Sequence, residues 1–491
     1  MQNETEGSGF RVTLVGAAVL AMALALAGGC GGDDEDPPVT PQPDGGSNPI
    51  PDGGVTPDGG TPPPPSADTE FALVRFNTDG TRDPSFGTNG VARVDVNTGT
   101  ATARETLWGL QRDGSDRLVI FGNAKGESPR ADLDRVIVRL TANGALDDSF
   151  ATKGVHALNI GNLADESRVG IVQADGKIVS SGYVSTPTGV GTQSANRIIL
   201  LRLEQTGAVD NTFGVKGVVN SAPFQPANPA TTEWGMAEAY AVGRQSTGKY
   251  VTTGYGRTAP SGTVDLVSFR YTASGELDTT WGTNGSFLLN LVGDNDRGRN
   301  MVVLPDDRVF MVGSGVPTAQ NIDAMTVMLT PEGKLDTSFY QDGYKLHTFG
   351  RADEAFFGAA VSPAGDRIAA AGYIAGGTDD DDALLYLKPI GSGTGNEFVQ
   401  PVPISESSND RFWAVTFDSA GKVYAAGVLT ENGDSRMIVA RFNADGSKDT
   451  SFGTNGVAIH NVIAAGTVET ARGIVIQSDG KVVIAGIAEK Q

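Results

Sequence analysis

Cysteine is almost missing from this chain: Cys30 is the only one in 491 residues. No internal disulfide can form, and everything beyond position 30 lacks a thiol nucleophile or thiolate ligand. Histidine is nearly as scarce, with His156, His347 and His460 alone available as imidazole bases. Aromatic residues make up only 7%, and long apolar patterns with the 3.6-residue helical period are missing. Positive charge is short too: 37 Lys and Arg stand against 58 Asp and Glu, giving a formal net charge of −21 and a pI near 4.5. Such a surface repels phosphodiester backbones and anionic lipid, which argues against nucleic acid as a partner. Glycine, by contrast, is abundant at 66 residues. With Asn and Asp it punctuates short β-rich runs, and that pattern reads as an all-β protein.

The first 30 residues read as an export signal. The stretch "TLVGAAVLAMALALA" (13–27) is apolar throughout and follows Arg11; it is shorter than the ~20 residues a membrane span needs. It runs into "LAGGC", which resembles the lipobox of bacterial lipoproteins, where a small residue precedes a cysteine that becomes the acylated N-terminus. Gly29 and Cys30 fit, while Ala27 stands where that family usually has Leu. The resemblance implies lipidation of Cys30 and anchoring to the bacterial outer membrane, on its periplasmic or surface side. The other outcome is ordinary signal-peptidase cleavage near Ala27, followed by secretion. Residues 31–68 then carry eight acidic residues, no basic ones, three "PDGG" units and a proline run. That composition has almost nothing to bury and is expected to be a disordered spacer.

From residue 69 to 491 the chain is built of repeats. One unit is a tight hairpin, as in "QADGKIVSSG" (173–182), "QSTGKYVTTG" (245–254) and "QSDGKVVIAG" (477–486), and it occurs seven times. Its turn glycine tolerates positive φ at little cost. Its strands are A and B. The other unit is a strand followed by a tag, as in "LVRFNTDGTRDPSFGTNGV" (73–91) and "VARFNADGSKDTSFGTNGV" (439–457). Strands C and D flank the tag. The sixth such site, "LLYLKPIGSGTGNEFV" (384–399), keeps the strand and loses the tag, which puts its outer strand in question. Four short strands recur in each repeat, and that specifies a β-propeller. The series opens on C and D and ends on A and B, with six complete blades between. A seven-bladed β-propeller, four antiparallel strands per blade, therefore closes through a composite blade made from both ends of the repeat region.

The tag together with the "QxDGKI" hairpin resembles the bacterial delta-60 repeat family over residues 70–488. The resemblance implies a propeller-like fold on a secreted or surface protein and says nothing of an activity.

In the tags, Asp83, Asp147, Asp210, Asp278, Asp336 and Asp449 share one position, and an aromatic ring (Phe86 to Phe452 in the first and last) follows three residues later. The carboxylate is expected to accept backbone N–H groups in a turn, and the ring to plug the gap between blades. The weaker alternative is calcium held by Asp79 and Asp83 and by Asp445 and Asp449, but other tags put Asn143, Thr206 or Ser274 where Asp79 sits. Strand A often begins with an acid and an Arg: Asp165 with Arg168, Asp296 with Arg299, Glu469 with Arg472, and Asp410 at the acidic offset alone. These groups either ring the channel mouth or clip neighbouring blades together. No catalytic residues are assigned. The three histidines fall on D strands of different blades and do not converge, and no phosphate loop or HExxH motif occurs.

The A–B turns and C–D tags share one face of the ring and are nearly uniform. The B–C and D–A loops share the other and vary, so ligands are sought there. The D–A loop 220–235 offers Phe224 and Trp234 for contact with protein or glycan, unless the rings fold back over the blade edge. The B–C loop 374–383 offers Asp379, Asp380, Asp381 and Asp382 as an acidic patch, or as a merely solvated run. The expectation is a monomeric envelope lipoprotein acting as a binding scaffold, touching the membrane through its lipid alone and needing no cofactor. The alternative is a polysaccharide-acting hydrolase or lyase with a cleft at the channel mouth.

Overall fold

The computed structural model describes residues 68–96, 105–126, 130, 132–187, 194–225, 235–259, 262–291, 295–318, 321–351, 353–375, 381–391, 396–405, 408–463 and 468–490. The export signal with Cys30, the spacer up to residue 67, Trp234, Asp379 and Asp380 lie outside the described residues. Seven antiparallel sheets form seven blades. Blades 1 to 6 follow one another in sequence. Blade 1 has strands Thr106–Arg112, Leu118–Lys125, Leu133–Leu140 and Val155–Leu158, from the channel outward. Blade 7 is composite as the repeat phase predicted: Glu469–Ile476 and Val482–Glu489 pair with Thr69–Phe76 and Val91–Val94. The closing ladder runs from Thr69 opposite Glu489 to Phe76 opposite Val482. All eight residues of Thr69–Phe76 are buried, as expected of a strand with partners on both sides.

The core is distributed between the blades. Phe71, Leu73 and Phe86 of blade 7, for example, pack with Leu118, Ile120 and Val138 of blade 1. Each A–B hairpin holds its turn with a pair of bonds such as Gly176 N–H to the Gln173 carbonyl (2.9 Å) and Gln173 N–H to the Lys177 carbonyl (2.8 Å). Gly176, at φ 81°, supplies the left-handed residue this turn requires.

The tag and the hairpin of one blade are locked together by charge. Asp210 takes Arg202 of strand C (2.7 Å) and Lys177 of the A–B hairpin (2.6 Å) on one oxygen. Its other oxygen accepts the Thr212 N–H (2.9 Å) and hydroxyl (2.6 Å). The same arrangement recurs at Asp83 with Arg75 and Lys481, Asp278 with Arg270 and Lys249, and Asp449 with Arg441 and Lys422. Burial pushes these carboxyls up, but the hydrogen bonds from Ser or Thr and from the flanking cations outweigh it and hold all four well below the usual range.

The tag ring reaches the next blade. Phe86, Phe150, Phe213 and Phe452 are fully buried. Each lies so close to a glycine of the next blade's turn (Gly144, Gly207, Gly275 and Gly80) that an added Cβ would meet the ring at about 3 Å. One such ring stabilises by roughly 1.5–3 kcal/mol. A backbone bond accompanies it, for instance Gly87 N–H to the Asn143 carbonyl at 2.9 Å. The two most similar tags, 76–91 and 442–457, are direct neighbours: Gly453 N–H donates to the Asp79 carbonyl (2.7 Å) and Arg441 to the Thr78 carbonyl (2.6 Å). Where the tag is lost, the outer strand Phe398–Val402 still forms. Phe398 packs against Gly446 of the next blade and so takes over the plug.

Candidate functional site: the channel ring

The innermost strands carry a feature that strand alternation hides. In six blades strand A is bulged, with register shifts flanking Trp108, Arg168, Arg299, Phe357, Trp413 and Arg472. In blade 3 strand A is split into Met236–Ala237 and Ala241–Arg244, and Tyr240 stands in the break. A bulge re-aims the extra side chain, and here seven such side chains, one per blade, meet. Arg168 lies 3.9 Å from the Trp108 ring and 4.7 Å from that of Tyr240. Arg299 lies 5.4 Å from Tyr240 and 5.2 Å from Phe357. Phe357 and Trp413 stack edge to face at 4.5 Å. Arg472 lies 4.5 Å from Trp413 and 4.6 Å from Trp108. The circuit is closed, with cation and ring alternating everywhere except at the Phe357–Trp413 step. The inner strands come close enough for this because small residues follow the bulge: a Cβ on Gly473 would meet Leu110 at 2.5 Å.

The acids three residues upstream have a separate task. Asp165 accepts the Ile160 N–H. Glu105 accepts that of Val96 (3.2 Å), Asp296 that of Leu291 (2.7 Å), Glu354 those of Phe349 (3.0 Å) and Arg351 (3.1 Å), and Asp410 those of Ile404 (2.8 Å) and Ser405 (3.0 Å). Glu469 accepts from Val462 (2.9 Å) and Ile463 (2.5 Å). Each acid thus pins the D–A loop that leads into its own blade. The acids hold loops, and the arginines join the ring. Arg168 pairs with Glu166 (2.7 Å).

Below the ring the channel widens into a cavity of about 560 Å³ that runs toward the A–B turns at Gln173 and Ser246. Trp108 and Arg472 stand at its upper end, and its walls include Val169, Ile171, Val302 and Ile474. The concave space therefore lies toward the uniform face, which the reasoning from loop variability passed over.

The residues singled out from sequence are placed as follows. Phe224 is half-buried and turned back onto its blade, 5.4 Å from Phe269, so the folded-back arrangement is the one observed. Asp381 is buried in an ion pair with Arg411 (2.7 Å), and Asp382 opens strand C of blade 5. Asp79 and Asp445 cap their own turns through Thr81 (2.9 Å) and Ser447 (2.9 Å). Asp83 and Asp449 are engaged by cations on both sides, and among the described residues no cluster of His, Cys, Asp and Glu suited to a metal occurs. His156, His347 and His460 lie on three separate outer strands, as expected. Burial lowers the basicity of all three, that of His347 to about 3.

The fold and ring define a seven-bladed propeller of tandem repeats with a channel narrowed by stacked cations and aromatics. Residues 66–86, 130–150, 173–213 and 421–452 match the model of a family described as a β-propeller domain of unknown function, DUF5122. The match supports a β-propeller repeat family for this chain. No curated protein matches its sequence. Among solved structures, the polysaccharide lyase Uly1 is similar at 11% identity over 78% of this chain and 89% of its own, with a TM-score of 0.42. A glucose dehydrogenase is 13% identical over 67% and 95%, with a TM-score of 0.37. An acylaminoacyl peptidase of Pyrococcus horikoshii is 9% identical over 76% and 47%, with a TM-score of 0.36. Likenesses at this level carry no argument about what this chain does.

Proposed function

We propose that the protein is an exported lipoprotein of the bacterial cell envelope, with delta-60-type repeats, whose propeller is a binding module for an envelope or extracellular protein or glycan. The observation that carries the reading is the set of buried acids that pin the D–A loops. A loop whose first residues are held by a buried acid loses less freedom on contact, which favours recognition. The ring arginines Arg168 and Arg472 stack on aromatic side chains, and the three histidines sit on outer strands.

Two experiments test this. Residues 69–491, used as bait in a pull-down from envelope extract, should retain a partner that Trp234→Ala loses; equal retention by both would remove the D–A loop from the reading. Metabolic labelling with a radioactive fatty acid should mark the wild-type chain and not Cys30→Ser; equal labelling, or none, would remove the anchor.

A further inference from the structure

Three of the A–B hairpins open on a glutamine, and two of them show its ordinary task. Gln245 accepts from Arg270 of its own blade (3.1 Å) and donates to the carbonyls of Asp307 (2.9 Å) and Pro331 (3.0 Å) in the next blade. Gln477 does the same with Arg75 (3.1 Å) and the Ala142 carbonyl (2.9 Å). Gln173 departs from this pattern because blade 3 has Tyr250 where blade 7 has Val482. Arg202 donates to the Tyr250 hydroxyl (3.1 Å), which donates to Gln173 Oε1 (3.1 Å). The Gln173 Nε2 group is left buried without a partner among the described residues, on a side chain in a residue only 8% exposed. A buried donor without an acceptor costs free energy in the empty site and returns it when an acceptor arrives.

Gln173 lines the channel cavity, and so do Gln111 of blade 1 and Arg244 of blade 3. Neither of those side chains has a hydrogen-bond or ion-pair partner among the described residues. Three unused polar groups thus gather on three successive blades. Aliphatic side chains are interleaved with them and continue round the other blades through Val302, Val361 and Ile474. The lining holds no Asp or Glu, although the chain carries a net charge of −21. Trp108, the aromatic residue of the lining, is stacked on Arg168 and Arg472.

We propose that this cavity binds a small pyranose sugar, with its hydroxyls on Gln111, Gln173 and Arg244 and its C–H surface on the aliphatic side chains between and opposite them. A pyranose alternates hydroxyls with C–H patches, and amide and guanidinium groups offer paired donors to neighbouring hydroxyls. A hydrocarbon ligand would leave the amides unpaired, and an inorganic anion would leave the aliphatic wall uncovered. A flat aromatic ligand would find the Trp108 ring already taken. A space of about 560 Å³ falls within the range of single-ligand pockets. Within the ring itself the space is about 40 Å³, which holds a water and stops a sugar. The cavity lies toward the A–B turns, away from the D–A loops, so the inference does not rest on the partner proposed above.

Methyl glucoside, methyl galactoside and methyl mannoside are the probes, each titrated into the full chain by calorimetry. Sorbitol, which carries hydroxyls without a pyranose ring, is the control. At least one pyranoside should saturate one site per chain, and sorbitol should bind at least about tenfold more weakly. Gln111→Leu and Arg244→Met break no side-chain contact within the fold, and each should weaken that pyranoside by roughly three- to tenfold. Trp234→Ala, in the D–A loop, should leave it unchanged. The proposal is overturned if none of the three pyranosides saturates, if sorbitol matches them, if both cavity variants bind as the wild type does, or if Trp234→Ala abolishes the binding.

Discussion

Removing residues 470–491 deletes nearly all of strand A and the whole of strand B from the composite blade. Ile474, Val475, Val482, Val483 and Ile484 are each at most 8% exposed, and their burial is worth about 8–15 kcal/mol together at ~1.5–3 kcal/mol per side chain. The deletion also strips one flank from Thr69–Phe76, every residue of which is buried, and leaves that strand's backbone donors and acceptors unpaired. The loss equals or exceeds the whole stability of an ordinary domain, ~5–15 kcal/mol. An open array of repeats would respond differently, shedding only the last interface and leaving the other blades folded. Residues 69–469 should therefore show no cooperative melt by far-ultraviolet circular dichroism and should be cleaved rapidly throughout by a nonspecific protease. A truncated chain that melts cooperatively within about 5 °C of residues 69–491 would refute the closed ring as the basis of stability.

Two further outcomes follow from the charges. Asp165, Glu238, Glu354 and Glu469 are pushed up to about 7, by burial above all. Because the folded state keeps protons that the unfolded chain gives up, these groups cost stability as pH climbs from about 4 to about 7, whereas the depressed tag carboxyls lose theirs as pH falls below about 4. Calorimetric melts at constant ionic strength should thus peak near pH 4–5, and a melting temperature that falls steadily from pH 8 to pH 5 would contradict the assignment. Asp210→Asn sets an amide against Arg202 and Lys177 and should cost about 3 kcal/mol in urea unfolding. Lys177→Met, at the more exposed end of the same cluster, should cost about 1 kcal/mol or less, and equal losses would show that the tag carboxylate is no keystone.

Much of this was legible in the sequence because each repeat writes the same device again. The Asp–aromatic tag declared both its turn and its plug, and the phase of the repeats placed the composite blade. The channel ring was not legible, for two physical reasons. A bulge interrupts the period of two, so Trp108 or Phe357 does not fall on the face that alternation assigns to it. The ring also works through contact between unlike groups, so Trp, Arg, Tyr and Phe stand at one position and resemble drift. The available signal was the acid three residues earlier: Glu105, Glu354 and Asp410 precede Trp108, Phe357 and Trp413 as Asp165 precedes Arg168. Sequence left both arrangements of Phe224 open because a loop aromatic looks the same whether it faces water or, as here, Phe269. The blade without a tag kept its outer strand because Phe398 restored the contact with Gly446 from another position.

The closing ladder also brings the two ends of the described propeller to one place. Thr69 pairs with Glu489, and the Lys490 N–H donates to the Asp68 carbonyl (2.8 Å), both at the B–C end of blade 7. The chain thus enters the propeller on the face that carries the variable loops.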